Sequence, residues 1–229
     1  MNYLRGLLLF ALLFNKQYTS AQRYPTRTYT LRDGLPQMQI MTQLTDSRGY
    51  LWLGTKNGLA KFDGEQFEVY TRCDLGLESG HIVSLTEDRH HHLWIATAMG
   101  LIRFNGATFT PFPFPDSMAR SSVQIQADDT GVWVHIYKDA AYKLFRLEGG
   151  QFRNAASFVP GFRGLSPVNI QWDNRRKRLW MLANSQQQTK QLYYIDQTGC
   201  HGIKKWVPHG YDLQKFEGNI FLQQSQTIN

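Results

Sequence analysis

Three adjacent imidazoles, His90-His91-His92, are the most conspicuous candidates for chemistry, since neutral histidine is a common metal ligand. A structural zinc centre needs four donors converging on one point, whereas neighbours along a turn point apart. The triplet therefore reads as an exposed turn that holds no metal. Carboxylates recur at Asp33, Asp46, Asp63, Asp88 and Asp116, which raises the question of paired-carboxylate hydrolysis. Asp46 and Asp88 occupy matching places in an internal repeat, each just before a turn, and turn capping accounts for both. No Ser, His and Asp set is recognisable, and a triad is defined by geometry that spacing does not supply. Gly54, Gly58 and Gly64 lack the following helix whose first N–H groups would hold a phosphate. Neither a catalytic residue nor a cofactor is expected. The segments Arg32-Asp33, Cys73-Asp74 and Phe112-Pro113-Phe114-Pro115-Asp116 remain as loops that could touch a ligand or serve as plain connectors.

The totals limit what kind of chain must position these residues. It has 229 residues, 42% hydrophobic and 14% aromatic, with 19% charged. That is enough apolar material for a core and too little charge for a disordered chain. The net charge of +7 could suggest a nucleic-acid partner, but that requires a clustered basic face. The only basic run is Arg175-Arg176-Lys177-Arg178, which reads as a solvated hairpin tip, and no nucleic-acid partner is expected. Two cysteines, Cys73 and Cys200, are too few for a disulfide framework, and free thiols are the expectation.

The N-terminus has the three-part form of a secretory signal. Arg5 supplies the positive charge, Leu7 to Phe14 the apolar stretch, and Thr19-Ser20-Ala21 the small residues before a cut ahead of Gln22. The apolar stretch is far shorter than the roughly 20 residues that span a bilayer. Removing residues 1–21 takes away Arg5 and Lys16 and no acid, leaving a mature charge of about +5. Export to the periplasm or the outer face is therefore expected, an oxidising setting that would also permit a disulfide.

A repeat gives the strongest signal. Gly34 to Phe67 aligns with Gly76 to Phe109 at a constant offset of 42 residues without a gap, with twelve identities in thirty-four positions. They include Asp46/Asp88, Trp52/Trp94, Gly58/Gly100, Leu59/Leu101, Phe62/Phe104 and Phe67/Phe109. Weaker copies follow at Asp129-Thr130-Gly131-Val132-Trp133 and at Trp172-Asp173 with Leu179-Trp180-Met181, so that Trp52, Trp94, Trp133 and Trp180 mark four units. Each unit reads as short strands: an apolar run such as Tyr50 to Thr55, a hairpin signal at Asn57-Gly58, and a second turn at Asp63-Gly64. Four strands in about 42 residues is the arithmetic of a β-propeller blade. The expected architecture is all-β, with blades near 29–70, 71–112, 113–155 and 156–200 and an incomplete one at 201–229. One four-stranded sheet cannot bury both faces, so neighbouring blades must cover each other. Trp52, Trp94, Trp133, Trp180, Gly58, Gly100, Leu59, Leu101, Phe62 and Phe104 are the residues expected to build that repeated core.

These residues resemble the two-component regulator propeller repeat. The resemblance rests on Asp33-Gly34-Leu35-Pro36, Asp46-Ser47-Arg48-Gly49-Tyr50-Leu51-Trp52-Leu53-Gly54-Thr55, Asn57-Gly58-Leu59 and Phe62-Asp63-Gly64, echoed by Leu93-Trp94-Ile95-Ala96-Thr97 and Phe104-Asn105-Gly106. It implies the periplasmic sensor region of a bacterial histidine kinase or hybrid two-component system, working by ligand binding. A glycan or other small extracellular ligand, and pairing of subunits in a whole sensor, are the implied partners. Four and a half blades without a kinase module read as a fragment or a truncated gene product ahead of a partner-completed ring, since closed propellers have typically 4–8 blades. The rivals are a secreted propeller lyase or hydrolase acting on polysaccharide and a scaffold propeller that binds proteins.

Overall fold

A computed structural model of the chain describes residues 26–76, 80–119, 122–184, 190–207, 211–216 and 219–224. The leader segment read at 1–21 lies outside the described residues. Among the described residues, eighteen strands form four antiparallel four-stranded sheets and a hairpin, and in every sheet spatial order follows chain order. The first sheet holds β1 (Ile40–Thr45), β2 (Leu51–Thr55), β3 (Gly58–Phe62) and β4 (Phe67–Tyr70). The second holds β5 (Ile82–Glu87), β6 (Leu93–Thr97), β7 (Gly100–Phe104) and β8 (Phe109–Pro113). The third holds β9 (Ser122–Ala127), β10 (Val132–Lys138), β11 (Ala141–Glu148) and β12 (Gln151–Asn154). The fourth holds β13 (Ser166–Asp173), β14 (Arg178–Asn184), β15 (Lys190–Asp196) and β16 (Gly199–Trp206), so its outermost strand runs past residue 200. The hairpin is β17 (Tyr211–Phe216) with β18 (Asn219–Gln224), and one helical turn, α1 (Ala155–Phe158), follows the third sheet.

The first strands β1, β5, β9, β13 and β17 touch in succession, which makes each sheet a blade and gathers the inner strands on one side. These inner strands are sheet edges, whose unpaired backbone groups need partners. The preceding blade supplies them. Ser84 Oγ accepts from Ile125 N (3.2 Å), Thr86 Oγ1 from Ala127 N (3.3 Å) and Gln126 Oε1 from Trp172 N (3.2 Å). Gln124 Nε2 donates to the Ile170 carbonyl at 3.1 Å.

Three buried clusters lie between successive blades. Trp52 and Leu59 of the first blade pack with Ile82, Leu93, Ile95 and Phe104 of the second. Trp94 and Leu101 then pack with Ile125, Val132 and Val134 of the third, and Trp133 and Leu144 with Ile170, Trp172 and Met181 of the fourth. Leu182 of the fourth blade continues the series against Leu213 of the hairpin. Complete burial of one large apolar side chain is worth about 1.5–3 kcal/mol, so these inter-blade layers supply most of the driving force. Each blade has one face that its own strands cannot cover, and the next blade covers it.

Two local expectations need correction. The two-residue turn after β2 is Lys56-Asn57, because Thr55 pairs with Gly58, so Gly58 opens β3. Its glycine is required by close approach: a Cβ there would collide with the Tyr70 carbonyl oxygen, and one at Gly100 would lie 2.6 Å from the Phe112 oxygen. The acid of the third repeat is Asp128, whose carboxylate caps the turn; Asp129 binds Lys177 of the next blade instead, at 2.8 Å.

Candidate functional site

The second strand of each blade carries its marker tryptophan, and every one of the four indoles donates to an aspartate at the end of the first strand. The Nε1 to Oδ2 distances are 2.9 Å for Trp52 to Asp46, 2.9 Å for Trp94 to Asp88, 2.8 Å for Trp133 to Asp128 and 3.2 Å for Trp180 to Asp173. The other carboxylate oxygen, Oδ1, accepts two backbone N–H groups of the turn in each case. These come from Arg48 and Tyr50, His90 and His92, Thr130 and Gly131, and Arg175 and Arg176. One acid thus closes the turn and satisfies the polar tip of the core aromatic. Burial pushes the carboxyl pKa of Asp46, Asp88 and Asp173 upward, and the hydrogen bonds from tryptophan, the turn backbone and, at Asp173, Arg176 outweigh it, so all three sit below the ordinary value.

The residue paired with the tryptophan on the third strand is also patterned. Trp52 faces Lys61, Trp94 faces Arg103, Trp133 faces Arg146 and Trp180 faces Tyr194. The three cations lie over the indoles at 5.9, 5.9 and 5.2 Å, a cation–π arrangement. In the fourth blade Arg178 stacks on Tyr194 instead, at 4.3 Å. Trp52, Trp94 and Trp133 are buried, whereas Trp180, next to the hairpin, is only half-buried. Leu59, Leu101, Phe104, Gly58 and Gly100 are buried as well, and Phe62 is half-buried against Tyr29 and Phe67. These positions are packing devices with their polar atoms satisfied.

The end of the blades bearing these capped turns also carries the histidine triplet. His91 holds a left-handed φ of 63° at the place where the first repeat has Gly49, φ 90°. The three rings find separate partners. His90 Nε2 accepts from Arg89, His91 Nδ1 meets Ser47 Oγ at 2.6 Å, and His92 Nδ1 meets Asp88 at 3.1 Å. Ser47 also grips Glu87 of the next blade through its N–H (2.8 Å) and its hydroxyl (2.6 Å). Serine, histidine and glutamate meet here without forming a proton relay, since the acid contacts the serine hydroxyl directly and the same imidazole nitrogen faces both. The cluster latches two blades together. Among the described residues no group of three His, Cys, Asp or Glu side chains has the arrangement of a metal site.

The basic run diverges in the same way. Arg176 binds Asp173 (3.1 Å), Lys177 binds Asp129 (2.8 Å), Arg178 lies 3.7 Å from Asp196, and Arg175 reaches Asn219. Both cysteines are free. Cys73 is exposed, while burial pushes the Cys200 thiol up to about 11.

Strand direction puts the β2–β3 type turns and the inter-blade connectors at the opposite, upper end. The connectors named from the sequence lie there. Asp33 caps a one-turn 3-10 helix by accepting from Thr30 N–H (2.7 Å) and hydroxyl (2.9 Å), and Asp74 does the same with Thr71 (2.7 Å each). Both acids are accounted for structurally. The Phe112–Asp116 segment behaves differently. Phe114 is buried, Asp116 is exposed, and the segment borders two clefts of about 400 and 620 Å³ that share Met99. The upper cleft between the second and third blades was hidden in the sequence.

Fold and turns together define the class: a β-propeller segment with four four-stranded blades and a further hairpin among the described residues. A family model described as Two component regulator propeller matches residues 34–57 and 76–99, within the first two blades. Histidine kinase P4 of Formosa agariphila is 34% identical over 65 residues, 28% of this chain and 5% of that protein. Among solved structures, the extracellular domain of a protein described as a hybrid two component system from B. thetaiotaomicron superposes with a TM-score of 0.61 at 20% identity, covering 88% of this chain and 29% of that one. Virginiamycin B lyase from Staphylococcus aureus gives a TM-score of 0.56 at 18% identity, covering 77% and 59% of the respective chains. At such identities the structural likeness is one of fold. This chain spans less than a third of that extracellular domain and a twentieth of that kinase.

Proposed function

We propose that the chain is an extracytoplasmic, ligand-sensing propeller segment of a two-component sensor and that it acts by binding, without turnover. The observation that carries this reading is the ungapped pair of regulator-type repeats, each folded as one blade with the same Asp–Trp closure. The secretory form of residues 1–21 supports export, and among the described residues no helix is long and apolar enough to cross a membrane. The small share of the kinase that the chain spans supports its being one segment of a longer sensor. In that sensor, ligand held on the propeller would bias the placement of two paired subunits, and the shift would reach the kinase.

Thermal unfolding of the purified chain against a set of oligosaccharides and other small extracellular solutes tests this. A ligand that binds only the folded state stabilises it by RT ln(1 + [L]/Kd), so one class of solute is expected to raise the melting temperature and to be recovered chemically unchanged. Recovery of cleaved product would establish an enzyme instead, and the absence of any shift would contradict sensing.

A further inference from the structure

Upper-end hairpins of the first two blades are alike: β2 ends three residues after Trp52, at Thr55, and β6 three residues after Trp94, at Thr97. The fourth departs by one residue, β14 ending four residues after Trp180 at Asn184, and the third departs furthest. Its β10 continues five residues past Trp133 to Lys138, and β11 is eight residues long. Insertions that lengthen one repeat of an array commonly mark its binding face. The added residues carry Tyr137, which is 43% exposed although large and aromatic. It faces a cleft of about 620 Å³ together with Met99, Asp116, Ala119, Lys138 and Asp139.

The wall of this cleft is built from linked ring contacts and hydrogen bonds. Tyr137 pairs across the hairpin with Tyr142, ring centroids 4.6 Å apart, and Tyr142 stacks on the buried His135 at 5.5 Å and 9°. His135 in turn is fixed to the Pro167 carbonyl of the next blade at 2.8 Å. Lys138 Nζ donates to the Asp116 carbonyl at 2.7 Å, tying the hairpin to the connector across the cleft. The Asp116 and Asp139 carboxylates make no hydrogen bond or ion pair with other described side chains, and both residues are exposed.

We infer that this upper cleft between the second and third blades binds a neutral pyranose unit, which rests on Tyr137 and donates hydroxyl hydrogen bonds to Asp116 and Asp139. A sugar ring has an apolar C–H face and a rim of hydroxyl donors, which matches a supported aromatic ring beside acceptors. Asp116 and Asp139 line the cleft against one lysine, Lys138, so the net charge of the lining is negative and an acidic sugar is disfavoured. The inference deepens the ligand-sensing reading and rests on it.

Isothermal titration of the full chain compares neutral hexasaccharides (gluco-, manno- and xylo-configured) with oligogalacturonate of the same length. Binding of at least one neutral probe is expected, with little or no heat from the acidic one. Tyr137→Ala should weaken the neutral probe about tenfold or more, the loss of roughly 1.4 kcal/mol, while Tyr137→Phe keeps the stacking face and stays near the parent affinity. Asp116→Asn, at an exposed connector position, should weaken it several-fold and checks the site independently of the hairpin. Neutral binding that is indifferent to both Tyr137→Ala and Asp116→Asn, or binding of the acidic probe alone, overturns this site and leaves ligand sensing standing. Silence from every probe overturns the site, and the wider solute screen then decides the sensing reading.

Discussion

Asp88 Oδ2 lies 2.9 Å from Trp94 Nε1, the same separation that joins Asp46 to Trp52 forty-two residues earlier. The shared geometry makes each blade a closed unit in which a core aromatic and a turn depend on one acid. Asp88→Ala would strand the buried indole N–H and two turn N–H groups. Leaving a buried donor unpaired costs about 1–3 kcal/mol, so a loss of roughly 2–3 kcal/mol is expected in urea unfolding, with Asp88→Asn losing less. Equal stability of Asp88→Ala and the parent would refute the pairing.

Acid should weaken the fold through the same groups. The folded-state pKa of Asp46, Asp88 and Asp173 is depressed below the unfolded value near 3.9, so their contribution is complete above that value and disappears as pH falls through the folded pKa. Urea midpoints taken from pH 6 down to pH 2.5 should fall steadily below about pH 4. Asp88→Asn starts lower and should lose less on acidification, and parallel curves would contradict the assignment.

Close packing at the first inter-blade seam makes a sharper claim about Gly54. A Cβ there would stand 2.6 Å from both Ile82 Cγ2 and Thr42 Cγ2. Gly54→Ala is therefore expected to cost about 1–3 kcal/mol, the usual range for overpacking. Combining it with Ile82→Ala should cost less than the two single changes summed; additivity within about 0.5 kcal/mol would show that the seam is looser than described. The equivalent position in the second blade is Ala96, which is buried there.

Handedness of the β10–β11 turn predicts an improvement. Asp139 and Ala140 form its two central residues with φ of 51° and 58°, a left-handed pair that favours glycine. Ala140→Gly should raise stability by about 0.5–1 kcal/mol, the relief of left-handed strain partly offset by a more flexible unfolded chain. A lower urea midpoint would mean that the turn adopts another conformation.

Thiol reactivity separates the two cysteines. Cys73 is exposed, and the Cys200 thiol is partly buried with its pKa raised to about 11. At pH 8 one equivalent of a thiol reagent should react fast and the second only on unfolding. Two fast equivalents would contradict the packing of Cys200 beside Tyr193.

The repeat was legible because its markers are rare and fixed in place: Trp52 and Trp94 at the buried strand, Gly58 and Gly100 where a Cβ would strike the neighbouring strand's carbonyl oxygen. Asp46 and Asp88 were readable as turn residues, yet their bond to tryptophan spans a turn and half a strand, a distance that spacing alone does not translate into contact. The third repeat misled by one residue, since Asp128 and Asp129 are adjacent acids and only folding separates turn cap from inter-blade bridge. The upper cleft stayed hidden for a related reason. Asp139-Ala140 has no glycine to announce a tight turn, so the lengthened hairpin that lifts Tyr137 out of the core did not stand out.

Exchange of the tryptophan indole protons, followed by nitrogen-15 NMR and assigned by single Trp→Phe changes, tests most directly whether successive blades seal one another. Trp52, Trp94 and Trp133 should exchange slowly and at similar rates, Trp180 faster, and Asp88→Ala should speed Trp94 above all. Rapid exchange of the first three indoles, or widely different rates for Trp52 and Trp94, would contradict the account.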